Sequence, residues 1–253
     1  MPAYIDTHCH LDLFPGIRER PQVEDAEGIK TITVTNAPYL FAPNQVLFGQ
    51  SRHIRVGLGF HPEALGDQRL LAQQQAQLRV FDEQLASARY IGEVGLDGSA
   101  AWKHTWRAQL AVLQHVSAQC GQTGGKIITA HSRGAVADVL DHLATPQLRA
   151  QQNKLVLHWF SGTSHELQLA VQAGAYFSVN HKMVQSKKGK DLLASMPQAR
   201  VLTETDAPFT FDTHVKTRKQ SLLATVDALA SLWDTSHERA QTLVWANFQA
   251  LLQ

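Results

Sequence analysis

Residues 5–10 read IDTHCH, a short apolar and β-branched run that ends in two histidines. Runs of this kind are typical of buried strands. They recur about every 30 residues, with helix-like stretches between them. Strands that alternate with helices indicate parallel βαβ units. Eight such units predict an α/β fold that closes into a single (β/α)8 TIM barrel.

The eight predicted strands lie near Ala3–Leu11, Lys30–Ala37, Ile54–Phe60, Tyr90–Leu96, Lys126–Ser132, Lys154–Phe160, Ala175–Asn180 and Arg200–Thr205. Helical patterns between or after them cover Leu70–Leu85, which is rich in glutamine, and Trp106–Cys120, Val136–Leu143, His165–Ala173, Gln220–Leu232 and Arg239–Leu252. An open doubly wound sheet is the alternative, but the sequence holds no glycine-rich phosphate-binding fingerprint of that fold.

Length and composition agree with one barrel domain over residues 1–253, since such barrels need ~250 residues and 44% of the residues are hydrophobic. The formal net charge of +1 gives no general attraction for nucleic acid. Two cysteines, Cys9 and Cys120, are too few for a disulfide framework and indicate reduced thiols in a cytoplasmic protein. Neither a signal peptide nor a membrane span is expected.

Side chains of the types that can bind metals fall at the predicted strand ends. They are His8, His10, His61, Glu93, His131, His158 and Asp206. In a barrel all the strand ends meet at one mouth, where barrel enzymes keep their active sites. Residues that are distant in the chain should therefore converge in space.

Within the first strand, His8 and His10 should point the same way and Cys9 the other way, because alternate residues of a strand share a face. Cys9 is therefore expected in the core, and Asp6 could support the histidines. Glu93 in an apolar strand is costly to bury without a compensating cation. Asp206 beside Glu204 presents the same problem.

The set of ligands suits zinc, manganese or magnesium, because it combines imidazoles with carboxylates and contains no thiolate. Without His61, whose role is less certain, six ligands remain; these are too many for one tetrahedral ion, so we expect two divalent ions bridged by a carboxylate and a water. Such a pair polarises a phosphoryl or carbonyl oxygen and activates the water as a nucleophile. The proton of that water could pass to Asp206, or Glu204 could help.

Six motifs, IDTHCHLD, GFHP, GEVGLD, AHSR, LHWFSG and LTETDAP, occur in this order over nearly the whole chain. The set resembles the signature of the TatD-type deoxyribonucleases of the amidohydrolase-like superfamily. The resemblance implies a nuclease that hydrolyses DNA phosphodiester bonds, often from 3′ to 5′ on single strands. It places His8, His10, Glu93 and Asp206 on one metal. A second metal, bridged by Glu93, would bind His131 and His158.

The resemblance also implies a substrate-binding role for His61, near the site, and for Arg133, which would steady a phosphate. The chain departs from the family in loops around the mouth: Gly98, Ser99 and Ala100 follow GLD where an aromatic residue is usual, and residues 209–220 differ as well. This divergence suggests the TatD-like component of the Qat anti-phage operons, which would act beside partner proteins.

Two basic stretches should flank the mouth and attract a phosphate backbone. One contains Lys182, Lys187, Lys188 and Lys190, and the other contains Lys216, Arg218 and Lys219. Four aromatic side chains, Trp159, Phe160, Phe209 and Phe211, could stack bases there or pack in the core. A small-molecule hydrolase on the same barrel and a catalytically silent scaffold remain alternatives to the nuclease.

Overall fold

Eight parallel strands form one sheet in sequential order in the computed structural model, which describes residues 2–253. The strands are β1 (Ile5–Cys9), β2 (Lys30–Val34), β3 (Ile54–Leu58), β4 (Tyr90–Gly95), β5 (Ile127–His131), β6 (Lys154–His158), β7 (Tyr176–Val179) and β8 (Val201–Thr203). Each observed strand falls inside a predicted one. The order and the intervening helices confirm the predicted (β/α)8 barrel.

The barrel closes between β8 and β1 through a few hydrogen bonds. The hydroxyl of Thr203 donates to the carbonyl of Ile5 at 2.6 Å, and the hydroxyl of Thr7 donates back to the carbonyl of Thr203 at 3.1 Å. Beyond the strand ends, the Asp206 amide donates to the His8 carbonyl at 2.8 Å. The seam of the barrel therefore runs directly beneath two of the predicted metal ligands.

The helices surround the sheet and cover a core of aliphatic and aromatic side chains. They are α1 (Arg20–Glu27), α2 (Phe41–Phe48), α3 (Gln68–Ala72), α4 (Gln74–Leu85), α5 (Trp106–Thr123), α6 (Val136–Leu143), α7 (Pro146–Ala150), α8 (Ser164–Gln172), α9 (His181–Gln185), α10 (Lys187–Ser195), α11 (Arg218–Leu232) and α12 (His237–Leu252). None of the helices in residues 2–253 is long and apolar enough to cross a membrane.

The glutamine-rich helix differs from its prediction. It is split at Gln73, where the backbone leaves helical geometry (φ −98°, ψ 10°) and joins α3 to α4. The glutamine side chains are used locally: Gln74 donates to the carbonyl of Ala108, and Gln77 accepts from the amide of Tyr39. The apolar residues of α4 face the core, so this stretch packs against the barrel.

Candidate metal centre

The predicted metal ligands converge at the C-terminal ends of the strands. A cavity of 780 Å³ opens there, and its lining includes His10, His61, Glu93, His131, His158 and Asp206. His8 lies directly beneath this lining and is fully buried. The barrel thus gathers seven side chains from six strands or the loops that follow them into one cluster, which we call the donor cluster.

Glu93 lies at the centre of the donor cluster and uses its two oxygens differently. Its Oε2 lies 3.2 Å from His8 Nε2 and 3.4 Å from His10 Nε2. Asp206 Oδ1 faces the same two nitrogens at 3.7 and 3.5 Å. Two imidazoles and two carboxylate oxygens therefore form a first group of potential ligands.

The other oxygen of Glu93 faces a second group. Glu93 Oε1 lies 2.8 Å from His158 Nε2 and 3.0 Å from His131 Nδ1. His61 Nε2 is also 3.0 Å away. His61 therefore lies as close to Glu93 as the two histidines that the resemblance assigned to a second ion.

A close approach of β4 and β5 sets the spacing between Glu93 and His131. Gly95 has a φ of +135°, and a Cβ atom there would lie 2.0 Å from the carbonyl oxygen of His131. Only glycine avoids both the unfavourable φ and this clash. Gly95, the second glycine of the GEVG motif, is thus required for Glu93 and His131 to meet.

Buried polar groups hold the imidazoles from behind. His8 Nδ1 is 3.1 Å from the hydroxyl of Thr129, and His131 Nε2 is 2.8 Å from Asp97 Oδ2. Partners of this kind fix the orientation and tautomer of metal-binding histidines. Asp97 was not predicted from the sequence, although its position at the end of the GEVGLD motif was a signal for it.

Glu204 lies behind His158 rather than on the cavity. Its carboxylate is fully buried and accepts hydrogen bonds from the Asn180 side chain, the Trp159 amide and the Ser178 hydroxyl. His158 Nδ1 is 3.7 Å from Glu204 Oε1. The prediction that Glu204 helps to take a proton from the attacking water is therefore corrected, because its oxygens are engaged in orienting the His158 side of the cluster.

The carboxylates and imidazoles perturb one another strongly. Burial opposes ionisation of Glu93, but the nearby His61, His158 and His8 hold its pKa well below the usual range. Burial also disfavours protonated imidazoles, yet the Asp206 and Glu93 carboxylates raise the pKa of His10 to about 9. For His131, burial is likewise outweighed by the Asp97 and Glu93 carboxylates, which raise the pKa to about 8.

The donor cluster fits divalent metal ions. His8 Nε2 is buried and makes no hydrogen bond, although it points at two carboxylate oxygens. In the tautomer whose Nδ1–H donates to Thr129, Nε2 is a bare lone pair, which is the form that binds a metal. The donors are nitrogen and oxygen atoms alone, a set that suits zinc, manganese or magnesium.

Comparison with known proteins agrees with this geometry. The family model "TatD related DNase" matches residues 5–253. The chain belongs to the TatD family. The TatD resemblance of the motifs is thereby confirmed, and membership makes the chain a metal-dependent hydrolase of the TatD type.

Individual TatD relatives are distant. The chain is 28% identical to an uncharacterized metal-dependent hydrolase, YjjV, of Escherichia coli K12 over 81% of this chain and 79% of that protein. It is 29% identical to the 3′-5′ ssDNA/RNA exonuclease TatD of Enterobacter lignolyticus, over 73% and 70% of the two chains. The crystal structure of E. coli YjjV shares the fold, with a TM-score of 0.83, 24% identity and coverage of 98% and 97%.

The cations predicted to bind substrate in this TatD chain occupy different environments. Arg133 is exposed and lines the cavity beside His131. Lys187 and Lys216 are exposed, and Lys188 is exposed while its Nζ donates to the Ser161 carbonyl at the cavity edge. Lys182 forms an ion pair with Asp212.

The structure corrects the predicted substrate-binding role of Arg218. It is 1% exposed, and its guanidinium donates to Asp6, Glu24 and Thr31 inside the protein. It therefore cannot reach a phosphate at the mouth. The Asp6 carboxylate accepts hydrogen bonds from Arg218 and Thr205 and does not support an imidazole. The register between β1 and β2 shifts at this point, between Asp6 and Cys9. Cys9 is buried in the core, as predicted.

The aromatic residues divide in the same way. Trp159 and Phe209 line the cavity, whereas Phe160 packs against Phe177 and Phe211 against Phe14. Trp102 also lines the cavity, although the sequence did not predict it. The loop after GLD thus supplies an aromatic ring to the mouth even though residues 98–100 carry none.

Proposed function

We propose that this TatD-family chain is a two-metal nuclease that hydrolyses DNA phosphodiester bonds as a 3′ to 5′ exonuclease on single strands. One observation carries the proposal: the two oxygens of Glu93 face two separate groups of imidazole nitrogens. This arrangement suits a carboxylate shared by two ions. The exonuclease TatD named among the relatives supports the choice of substrate.

His8, His10, Glu93 and Asp206 would hold one divalent ion, and Glu93, His131 and His158 the other. Bound there, the ions would polarise the scissile phosphate and activate a water as nucleophile. Thr129 and Asp97 hold His8 and His131 in the orientation that ligation needs.

The chain's own residues would do the remaining work. Asp206 reaches the cavity and would accept the proton of the attacking water at its carboxylate, a role from which Glu204 is excluded by its burial. Arg133 would hold a non-bridging phosphate oxygen through its guanidinium. His61 Nδ1 accepts a hydrogen bond from the Glu63 backbone amide, so the ring proton of His61 lies on Nε2, which faces Glu93. We therefore assign His61 to steadying Glu93 or the substrate phosphate.

The direct test is degradation of end-labelled single-stranded DNA with added magnesium or manganese, comparing the wild type, Glu93→Ala and an EDTA control. We expect loss of DNA only with wild type and metal, with a ladder that gives the polarity. Full activity of Glu93→Ala would refute the site. Protein that binds neither metal nor DNA would support the silent scaffold instead.

A second candidate, hydrolysis of a small phosphoester, is favoured by the modest number of free cations at the mouth. Lys182 is paired with Asp212 and Arg218 is buried. Replacing Lys187, Lys188, Lys216 and Lys219 together by glutamine separates the candidates. A nuclease should lose affinity for DNA and show a shallower dependence on salt, because fewer counterions are released. A small-phosphoester hydrolase should keep its turnover unchanged.

We also propose that the chain acts in the cytoplasm with partner proteins of an anti-phage operon. The support is the departure from the family pattern at residues 98–100 and 209–220, in loops around the mouth, while the residues of the donor cluster are kept. The test is phage plating on cells that carry the operon with wild-type chain or with Glu93→Ala. Equal protection in both strains would refute a catalytic role in defence.

A further inference from the structure

Three aromatic side chains border the donor cluster on the cavity, and they come from three different loops. Trp102 follows β4, Trp159 follows β6 and Phe209 follows β8. We propose that these three rings form a subsite that stacks the unpaired base of the nucleotide released by cleavage. The inference rests on the proposed nuclease function and specifies how its substrate is recognised.

Trp159 is held in a conformation that bulky residues avoid. Its φ is +39°, and its amide lies 3.1 Å from Glu204 Oε1 and 3.2 Å from the Ser178 carbonyl. Residues in such conformations persist where the surroundings enforce them, often at ligand sites. The turn puts Trp159 on the cavity, whereas the next residue, Phe160, is buried in the core.

Phe209 exposes 61% of its surface at the rim of the cavity. Its ring meets the His10 ring edge to face, with centroids 5.2 Å apart. Its exposure at the cavity rim leaves a face of the ring free to contact a ligand in the cavity. This ring is therefore positioned to meet substrate directly beside the first group of metal donors.

The Trp102 ring packs against Gly66, a residue without a side chain. A Cβ atom at Gly66 would lie 2.2 Å from the Trp102 ring, so glycine is needed at that position for the ring to lie where it does. Gly66 belongs to the segment that follows His61. The contact with Gly66 therefore positions Trp102 relative to the second group of donors.

The chemistry of the lining matches a single-stranded end. The donor cluster and Arg133 would take the phosphate, and the rings offer π faces to a base. A base inside a duplex has both faces covered by its neighbours, so only an unpaired base can enter such a subsite. The cavity, at 780 Å³, is of small-ligand size and fits a terminal nucleotide. Stacking tolerates every base, so we expect no base preference.

The test compares two oligonucleotides that differ only in the terminal nucleotide to be released: one carries thymine and the other a tetrahydrofuran without a base. Stacking of one base corresponds to ~5- to ~150-fold in kcat/KM, and the wild type should prefer thymine by that factor. In Phe209→Leu and Trp159→Leu the thymine substrate should lose more kcat/KM than the tetrahydrofuran substrate, so that this preference disappears. Tyr39→Leu is the control, since Tyr39 is 50% exposed but lies outside the cavity lining. Equal losses on both substrates would overturn the subsite.

A binding measurement separates this inference from the nuclease proposal. Metal-loaded protein is titrated with thymidine 5′-monophosphate and with 2′-deoxyribose 5-phosphate while tryptophan fluorescence is recorded. We expect quenching by the nucleotide alone, reduced in Trp102→Phe and in Trp159→Phe. Quenching without any DNA cleavage would refute the nuclease and retain the base subsite. Cleavage with identical responses to both ligands would refute the subsite alone.

Discussion

Two regions of the barrel bury carboxylates, and they compensate the charge differently. In the donor cluster, Glu93 and Asp206 face imidazoles, and His8 Nε2 lacks a hydrogen bond. In a second region, which we call the arginine cluster, Arg218 is surrounded by Asp6, Glu24 and Thr31, with Nε to Asp6 Oδ2 at 2.8 Å and Nη2 to Thr31 Oγ1 at 2.6 Å.

The difference explains why one region is suited to bind a metal and the other is structural. The arginine cluster contains its own permanent cation, so its carboxylates are satisfied by the chain alone. The donor cluster contains groups whose charge depends on protonation and whose lone pairs converge. Buried charges need such compensation in either form. In the donor cluster an external cation would supply it.

The two clusters are joined through the seam of the barrel. Asp6 accepts hydrogen bonds from the Thr205 amide at 2.9 Å and from the Thr205 hydroxyl at 2.7 Å. Thr205 immediately precedes Asp206, and the Asp206 amide donates to the His8 carbonyl. The arginine cluster therefore supports the backbone that carries two of the donors.

Removing the shared carboxylate should give the largest effect. Glu93→Gln keeps the size of the side chain but removes its charge, so both groups of donors lose their common ligand. We expect turnover to fall at least ~10²–10³-fold, the cost of losing one preorganised electrostatic group, and bound metal measured by mass spectrometry to fall with it. The control is Glu83→Gln on the exposed face of α4. Retained metal in Glu93→Gln would contradict the comparison between the clusters.

Breaking the arginine cluster should instead affect stability. Arg218→Met leaves Asp6 buried without its cation and Glu24 with Arg20 alone, and breaking a buried pair of this kind typically costs ~3–5 kcal/mol. Arg20→Met is the matched comparison, because Arg20 also pairs with Glu24 but is 18% exposed, so we expect a loss of about 1 kcal/mol or less. Urea unfolding of the metal-free proteins gives both values. A stability of Arg218→Met equal to that of Arg20→Met would show that the cluster is not a structural ion pair.

The contrast also explains how far the sequence could predict the molecule. The donors were predictable because strand periodicity and the convergence of strand ends determine where His8, Glu93 and His131 meet. Arg218 was misplaced because a basic run at a loop looks solvated. Its burial depends on carboxylates from β1 and α1, which are more than 190 residues away along the chain.

Other features depend on backbone paths that carry no periodic signal. Trp102 reaches the cavity from a loop without regular spacing and lies on Gly66. Asp97 contacts His131 only because β4 and β5 are neighbours. The role of Glu204 was set by Asn180 and Ser178 on and after β7, which enclose its carboxylate. Such contacts require three-dimensional packing.

A smaller effect is expected when a group behind the donor cluster is changed. Asp97→Asn weakens the contact between Asp97 Oδ2 and His131 Nε2, which is 2.8 Å in the wild type. Groups that orient a metal-binding histidine typically contribute 10–100-fold in metal affinity or activity, so we expect manganese affinity to fall by about that factor in calorimetric titration. Asp138→Asn, on the exposed side of α6, is the control. Unchanged affinity in Asp97→Asn would remove His131 from the set of ligands.

The mildest way to distinguish the clusters is pH. Without metal, carboxylate neighbours raise the pKa of His10 to about 9 and of His131 to about 8, so both rings are protonated at neutral pH. A metal must displace these protons, and its apparent affinity should rise by up to about tenfold per pH unit for each proton displaced, until the pH passes 8 and then 9. The same raised pKa values stabilise the metal-free fold fully below about pH 6.5, and this contribution is lost as the pH rises through 8 to 9. The arginine cluster has no such dependence in this range, because its guanidinium stays charged.

Calorimetry in two buffers of different ionisation heat measures the protons released on binding. Metal affinity that is flat between pH 7 and 9 would mean that protons do not occupy the donor cluster, and the contrast with the arginine cluster would then rest on geometry alone.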